Sequence, residues 1–263
     1  MRLGSLFTKT SFIPLGSVAL GLIIYELVAT SGIFAAALMP NVQIIFSTLC
    51  STIADGSIVN HAGATLSRVL LGWFSAIAIA LPLGVLMARQ SHIEKFFMPL
   101  VSVLMPIPSL AWVPIFILWF GLGNFTTTLI VFYAASFPML LNTWTGVRSV
   151  NNLWIKSGCA LGANSSQLFW KVIIPGASPM ILTGVRQSFQ RAWIAVIGAE
   201  MIAASDWGLG WVIFDAKEFL NADIMIASLV VIGLIGFVFE RYFLQILERR
   251  SVVKWGMVKQ QIN

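Results

Sequence analysis

The chain has few charged residues and lacks the motifs of several enzyme classes. Only 10% of its 263 residues are charged and 58% are hydrophobic, whereas about 25% of the residues in soluble domains are charged. A soluble fold of this length could not cover so much apolar surface. The sequence contains no G-x-x-x-x-G-K-[ST] phosphate loop, so the chain is not expected to hydrolyse ATP itself. It also contains no G-x-S-x-G elbow, which argues against an intramembrane hydrolase.

Long apolar runs dominate the rest of the sequence. Several of them reach the roughly 20 residues needed to cross a bilayer core of about 30 Å. We predict spans at residues 12–29, 66–87, 97–120, 126–144, 181–203 and 224–243. These runs do not alternate apolar and polar residues as barrel strands do, so helices are expected. The predicted fold is therefore all-α and integral to the membrane, with six transmembrane helices in one domain covering residues 1–263.

The loop charges predict the orientation of these spans. Eleven lysines and arginines lie in the terminal segments and even-numbered loops, whereas the opposite side carries only Lys217. The positive-inside rule then places both termini in the cytoplasm. The first span is expected to be retained, because its apolar run is longer than a cleavable signal segment. The net charge of +6 is thus explained by topology, and no nucleic-acid partner is expected.

This topology separates the metal-binding and thiol side chains. Cys50 is expected outside and Cys159 inside, so the two thiols should not form a disulfide with each other. His61 and His92 likewise fall on opposite sides, and no histidine lies within a predicted span. We therefore predict no metal site and no catalytic residues.

A polar segment interrupts the apolar pattern between the fourth and fifth spans. Residues 147–187 carry four cations and no acid. The pattern predicts a helix-turn-helix with its corner at Leu161, Gly162 and Ala163. Gly158 and Gly162 give the first helix a smooth face, which is typical either of close helix packing or of a surface that receives another protein.

The order of motifs in this segment resembles the EAA loop of ATP-binding-cassette (ABC) importer permeases. In that loop a glycine is followed ten residues later by an aliphatic residue, and after one intervening residue by a second aliphatic residue and a proline. The matching residues here are Gly162, Val172, Ile174 and Pro175. The residues that name the loop are replaced by Lys156-Ser157-Gly158, so no role is carried over to an acidic side chain there.

Other motifs narrow the resemblance to the nitrate/sulfonate/taurine group of these permeases. The segments that carry it are 67–69 with Gly72, 105–114, 118–123, 198–202 and 208–211. Together with the loop they cover about residues 40–245 in order. The resemblance implies a type I ABC importer permease fold in a bacterial cytoplasmic (inner) membrane, with residues 145–180 as a cytoplasmic coupling loop.

The resemblance also implies partners and a solute. A second permease copy, most simply in a homodimer, would complete the pathway. Two cytoplasmic ATPase subunits would bind ATP and Mg, and this chain would bind no cofactor. A periplasmic or lipid-anchored binding protein would deliver a small anionic solute. Sulfonate or taurine is the preferred solute, and nitrate, bicarbonate, an aromatic acid or a pyrimidine precursor are the alternatives. A stand-alone channel or secondary carrier is the competing class, but no inverted repeat is visible.

Two sets of residues carry the functional expectations. For coupling to the ATPase, Leu161 and Phe169 are expected as apolar anchors beside the Gly162 corner, and Pro175 is expected to end the second short helix. The coupling set is Leu161, Gly162, Ala163, Phe169 and Pro175. The candidates to line or gate the pathway are Ser109, Trp112, Asn142, Arg191 and Glu200.

The charged pathway candidates leave alternatives open. Glu200 lies deep in the fifth span, where an unpaired charge costs about 2.5–3.5 kcal/mol or more. It pairs with Arg68, pairs with some other partner, or acts in gating. Arg191 either extends its charge to the membrane surface or presents it to an anionic solute. Three prolines (Pro106, Pro108 and Pro114) predict a kinked third span.

Overall fold

The computed structural model describes residues 12–204 and 206–244, with side chains for residues 16–204 and 206–242. The regular structure of these residues is helical. The α-helices are α1 (Phe12–Thr30), α2 (Val42–Ala54), α3 (Ser57–Arg89), α4 (Ser91–Leu104), α5 (Val113–Phe120), α6 (Asn124–Arg148), α7 (Asn152–Ala160), α8 (Ser165–Leu168), α9 (Ile174–Ala203), α10 (Leu209–Glu218) and α11 (Ala222–Val238). A 3₁₀ turn covers Ser109–Trp112, and π-helical turns cover Phe169–Ile173 and Phe239–Leu244.

Four helical runs are long and apolar enough to cross a membrane. They are α3, α6, the continuous run Ser165–Ala203, and Ala222–Tyr242. The predicted spans 66–87, 126–144 and 181–203 lie inside the first three of these runs. A bent pair, α4 with Ser109–Phe120, makes a fifth span if it crosses as one unit, and α1 is a shorter apolar helix. The count of six spans therefore stays a prediction.

The third predicted span, 97–120, is not one helix. Its two halves meet at an angle of 87° across residues 105–108. Pro106 and Pro108 lie in this break, and each removes a backbone donor that a continuous helix would use. The Tyr133 hydroxyl donates to the Leu104 carbonyl at 2.7 Å, so α6 holds the end of α4. The prolines predict a kink, and the structure shows a nearly right-angled break.

The loops expected on the outer side are partly helical. Residues 30–65 contain α2 and the first turns of α3, and the fifth loop contains α10. Asn41 caps α2, since its side chain accepts from the Ile44 amide at 2.9 Å. Thr48 on α2 donates to Asp223 on α11 at 2.7 Å.

The chain divides into two compact units, one formed by the described residues up to Val59 with Val212–Val231, and the other by Asn60–Trp211 with the described residues from Ile232 onward. The core of the larger unit is formed by α3, α6 and α9. Glycines allow these helices to approach closely: a Cβ on Gly72 would lie 2.8 Å from the Thr128 carbonyl, and one on Gly184 would lie 2.9 Å from Asn142 Cβ. Such small-residue contacts are the usual basis of helix packing in lipid.

Candidate coupling loop and translocation face

At the corner of the polar loop, α7 ends and α8 begins, and hydrogen bonds fix the backbone at both helix termini. Gly162 has φ +79, and its N–H bonds to the Cys159 carbonyl while the Ala163 N–H bonds to the Gly158 carbonyl, both at 3.0 Å. This is the Schellman pattern, which requires the left-handed conformation that glycine adopts easily. The positive φ of Gly162 therefore has a local structural cause.

The next helix begins with a capping box. The Asn164 side chain accepts from the Gln167 N–H at 2.8 Å, and the Gln167 side chain accepts from the Asn164 N–H at 3.0 Å. Two otherwise unsatisfied amides at the start of α8 are thereby bonded. The Schellman motif and this box together fix the angle between α7 and α8.

Pro175 does not end the second short helix, contrary to the sequence-based expectation. The helix continues from Ser165 through the π-helical turn into α9 and ends at Ala203. The Ile174 N–H bonds to the carbonyl of Phe169, five residues earlier, and Pro175 occupies the first turn of α9. A wider π turn is a known way to accommodate a break in the regular hydrogen-bond pattern. The loop and the fifth predicted span are therefore one continuous helical element.

The predicted coupling residues differ in exposure. Leu161 at the corner is 88% exposed, whereas Ala163 and Phe169 are half-buried. Trp170, which was not in the predicted set, is 65% exposed. The guanidinium of Arg89 lies over the Phe169 ring, 4.9 Å from its centroid. The predicted anchor Phe169 thus already has a partner within the chain, and Leu161 presents a large apolar side chain to solvent.

The two glycines of the loop have different surroundings. A Cβ on Gly158 would lie 2.7 Å from Leu168 Cδ2, whereas one on Gly162 would meet no atom within 4 Å. Gly158 therefore serves packing of α7 against α8. The space beside Gly162, in contrast, is open, and another surface can occupy it.

A polar stripe follows one face of α9. Thr183, Gln187 and Arg191 are exposed, and their spacing of four residues places them on neighbouring turns of one face. Asn142 on α6 joins this stripe, because its side-chain amide donates to Gln187 at 3.0 Å. Gln187 was not predicted from the sequence, since nothing there indicates its partner on another helix.

The 3₁₀ turn packs farther along the same helix. A Cβ on Gly198 would lie 2.8 Å from Leu110, and Gly198 is eleven residues, about three turns, beyond Gln187. Ser109 and Trp112 flank Leu110 in that turn and are half-buried. Trp112 stacks on Phe116 with ring centroids 5.8 Å apart. The structure thus brings the turn, Asn142 and Arg191 to one side of α9.

Glu200 is paired with Arg68, as one of the sequence-based alternatives predicted. Arg68 Nη1 lies 2.6 Å from Glu200 Oε1, and the side chains are 4% and 0% exposed. The second carboxylate oxygen accepts from Thr65 at 2.9 Å and from the Gly210 N–H at 3.0 Å. Both oxygens of Glu200 are therefore satisfied.

The same cluster holds the segment that follows α9. Arg68 also donates to Asn124 and to the Trp207 carbonyl, at 2.8 Å through Nε and 2.5 Å through Nη1 respectively. Gly208 has φ +148, and a Cβ there would lie 2.6 Å from Glu200 Oε2. Only glycine lets the backbone pass this close to the carboxylate. The arrangement fixes residues 207–210 onto α3 and α9.

Comparison with known proteins identifies the class. The model of the family described as "Binding-protein-dependent transport system inner membrane component" matches residues 80–252. The chain belongs to this family. It is a membrane-spanning permease subunit of an ABC importer, and not the subunit that hydrolyses ATP.

Individual relatives agree with this assignment. The taurine transport system permease protein TauC of Escherichia coli is 33% identical over 253 residues, which cover 94% of this chain and 91% of TauC. A protein of Methanocaldococcus jannaschii described as a putative ABC transporter permease is 37% identical over 238 residues, 89% of each chain. A solved structure of the MetNI methionine ABC transporter, in an inward-facing conformation, matches with a TM-score of 0.60 at 20% identity. That match covers 75% of this chain and 95% of the other, and it shows the shared type I permease fold.

Proposed function

We propose that the corner of residues 161–163 docks on a cytoplasmic ATPase subunit and transmits its motion into the membrane. The observation that carries this proposal is the exposure of Leu161, 88%, at a corner whose backbone is fixed on both sides. An apolar side chain held rigidly in solvent is typical of an interface anchor. The neighbouring Gly162 leaves room for a close approach.

The continuous helix from Ser165 to Ala203 supports a mechanical role for the loop. A displacement of the corner reaches α9 without crossing a flexible connection. The helix carries the polar stripe at its middle and Glu200 near its end, where the Arg68 cluster anchors it. Movement at the ATPase can therefore shift the position of the polar stripe, while the outer end of α9 stays fixed.

The polar stripe on α9 supports the choice of an anionic solute. Arg191 is exposed and makes no ion pair in the part of the chain that the structure describes. It lies twelve residues, about 18 Å, from the end of α9. A cation at that depth facing lipid would be costly, so this face is assigned to a water-filled pathway. A sulfonate such as taurine is the preferred solute, because TauC is a taurine permease.

Assembly completes the proposed transporter. Two copies of the chain would place their α9 stripes around one pathway, with an ATPase on each coupling loop and a binding protein on the opposite side. Both termini would be cytoplasmic in a bacterial inner membrane, since the loop cations follow the positive-inside rule. ATP and Mg would bind at the partner ATPases.

A bulky residue at Gly162 tests the docking proposal. Gly162→Trp should reduce solute uptake and solute-stimulated ATP hydrolysis at least tenfold, because the added side chain would separate the docked surfaces. The amount of protein in the membrane should stay near normal, since a Cβ at Gly162 meets no atom of the chain within 4 Å. Uptake and ATPase activity would be measured in reconstituted vesicles.

Gly32 provides a matched control. It has φ +74, and a Cβ there, like one on Gly162, would meet no atom within 4 Å. Gly32→Trp therefore introduces the same backbone strain and bulk in a predicted outer loop, and transport should stay within about twofold of normal. Gly162→Ala has the strain without the bulk and should be much milder than Gly162→Trp. Normal transport by Gly162→Trp, or equal losses in both tryptophan variants, would refute the docking assignment.

A further inference from the structure

A groove with a volume of 750 Å³ lies between the end of α3 and the start of α9. This volume is within the range of about 300–1,000 Å³ that is common for small-molecule sites. One wall is the stripe Leu81, Val85 and Arg89 on α3, and the other includes Ile174 and Ile181 on α9. Of its lining residues, Phe169 belongs to the predicted coupling set, and none belongs to the predicted pathway set.

The lining changes from apolar to cationic along the helix axis. Leu81, Ile181 and Leu182 form one end, whereas Arg89, Gln90 and Trp170 lie at the other. Eight residues, or about 12 Å of helix, separate Leu81 from Arg89. Arg89 is exposed, and it makes no ion pair among the residues that the structure describes. Its position is fixed by the Phe169 ring, 4.9 Å away.

We propose that this groove binds an anionic phospholipid of the membrane leaflet on the Arg89 side. The acyl chain lies along the apolar walls, and the phosphate meets the Arg89 guanidinium and the Gln90 amide. Trp170 is placed as an interfacial aromatic residue, which favours the level of lipid headgroups. Basic pockets between transmembrane helices are a known mode of anionic lipid recognition.

The geometry favours a lipid over a cytoplasmic protein. The apolar end extends about 12 Å from Arg89 into the span, which a protein docked on the loop would not reach. A second copy of the chain would cover the apolar walls, but the described acids near its predicted cytoplasmic ends, Glu94 and Glu240, already pair with Arg148 and Arg186. The change from apolar to cationic lining along the groove is independent of whether the corner docks on an ATPase.

Lipid retention by the full-length chain tests the proposal. The chain would be purified in mild detergent, incubated with phosphatidylglycerol or phosphatidylcholine of identical acyl chains, and weighed by native mass spectrometry. The parent chain should retain phosphatidylglycerol at least fivefold better. Arg89→Gln should reduce this to the phosphatidylcholine level, and Arg89→Lys should preserve much of it. Leu86→Trp, which fills the groove, should reduce retention of both lipids.

Two controls separate the groove from general surface effects. Lys95 is an exposed cation outside the groove, and Leu71 is a 63% exposed residue of α3 outside it. Lys95→Gln and Leu71→Trp should leave retention within twofold of the parent. Equal losses in Arg89→Gln and Lys95→Gln would show unspecific charge attraction and overturn the proposal. It is also overturned if Leu86→Trp has no effect, or if a photocrosslinker at Leu86 captures a second copy of the chain.

Discussion

The buried Arg68–Glu200 pair allows a quantitative test of how the end of α9 is held. Arg68→Met leaves the Glu200 carboxylate, which is 0% exposed, with only Thr65 and the Gly210 N–H as partners. Glu200→Leu leaves a guanidinium that is 4% exposed without its counter-ion. Removing one partner of a buried pair typically costs about 3–5 kcal/mol, because the remaining charge stays desolvated.

The double variant Arg68→Met/Glu200→Leu should be far less destabilised than the sum of the two. Independent effects would add to about 6–10 kcal/mol, twice the single cost. With both charges gone, the main loss is the unsatisfied Gly210 N–H and Trp207 carbonyl, about 1–3 kcal/mol for each such group. Thr65 keeps its bond from the Leu209 N–H at 2.9 Å. The double variant should therefore be close to, or better than, either single variant.

Unfolding rates of the detergent-solubilised chain provide the measurement, since membrane proteins often unfold irreversibly. If the cluster is broken in the transition state, a loss of about 3 kcal/mol corresponds to roughly a 150-fold faster rate. The control is the Arg186–Glu240 pair, whose side chains are 43% and 37% exposed. An exposed pair should contribute only about 0–1 kcal/mol. Single variants that unfold at the parent's rate, or a double variant whose loss equals the sum of the single losses, would show that this buried pair does not hold the end of α9.

Much of the helical core was predictable because lipid imposes strict requirements on the chain. Backbone groups in a bilayer must be bonded within the helix, so apolar runs of sufficient length become helices such as α3 and α6. The Arg68–Glu200 pair was also accessible as one alternative, because an isolated charge at that depth is unfavourable. Both predictions follow from lipid as the solvent, although the ion pair joins residues 132 positions apart.

Other features that depend on distant contacts could not be predicted. Pro106 and Pro108 indicate a break, but its angle of 87° depends on how α5 and the 3₁₀ turn pack on α6 and α9. Pro175 indicated a helix end. The helix instead continues through a π turn, which the sequence does not reveal. The bond from Asn142 to Gln187 joins residues 45 positions apart, and no spacing rule connects them.

Two further predictions concern orientation and the pathway. In sealed cells, a thiol reagent that cannot cross membranes should label the exposed Cys50 and should not label the exposed Cys159, because the charge bias places them on opposite sides; labelling of Cys159 would reverse the orientation. Arg191→Glu should reduce uptake of an anionic sulfonate at least tenfold in reconstituted vesicles, because the exposed cation of the α9 stripe becomes an anion that repels the solute. Arg191→Lys keeps the charge and should retain much of the activity. Glu240→Gln removes a charge whose carboxylate accepts from Arg186 at 2.7 Å and from Gln190 at 3.1 Å. These partners lie about 100° around α9 from the polar stripe, so this change should have little effect. If Arg191→Glu imports the sulfonate at the normal rate while reaching the membrane normally, the α9 stripe does not select the solute by charge, and the pathway must be assigned to another face.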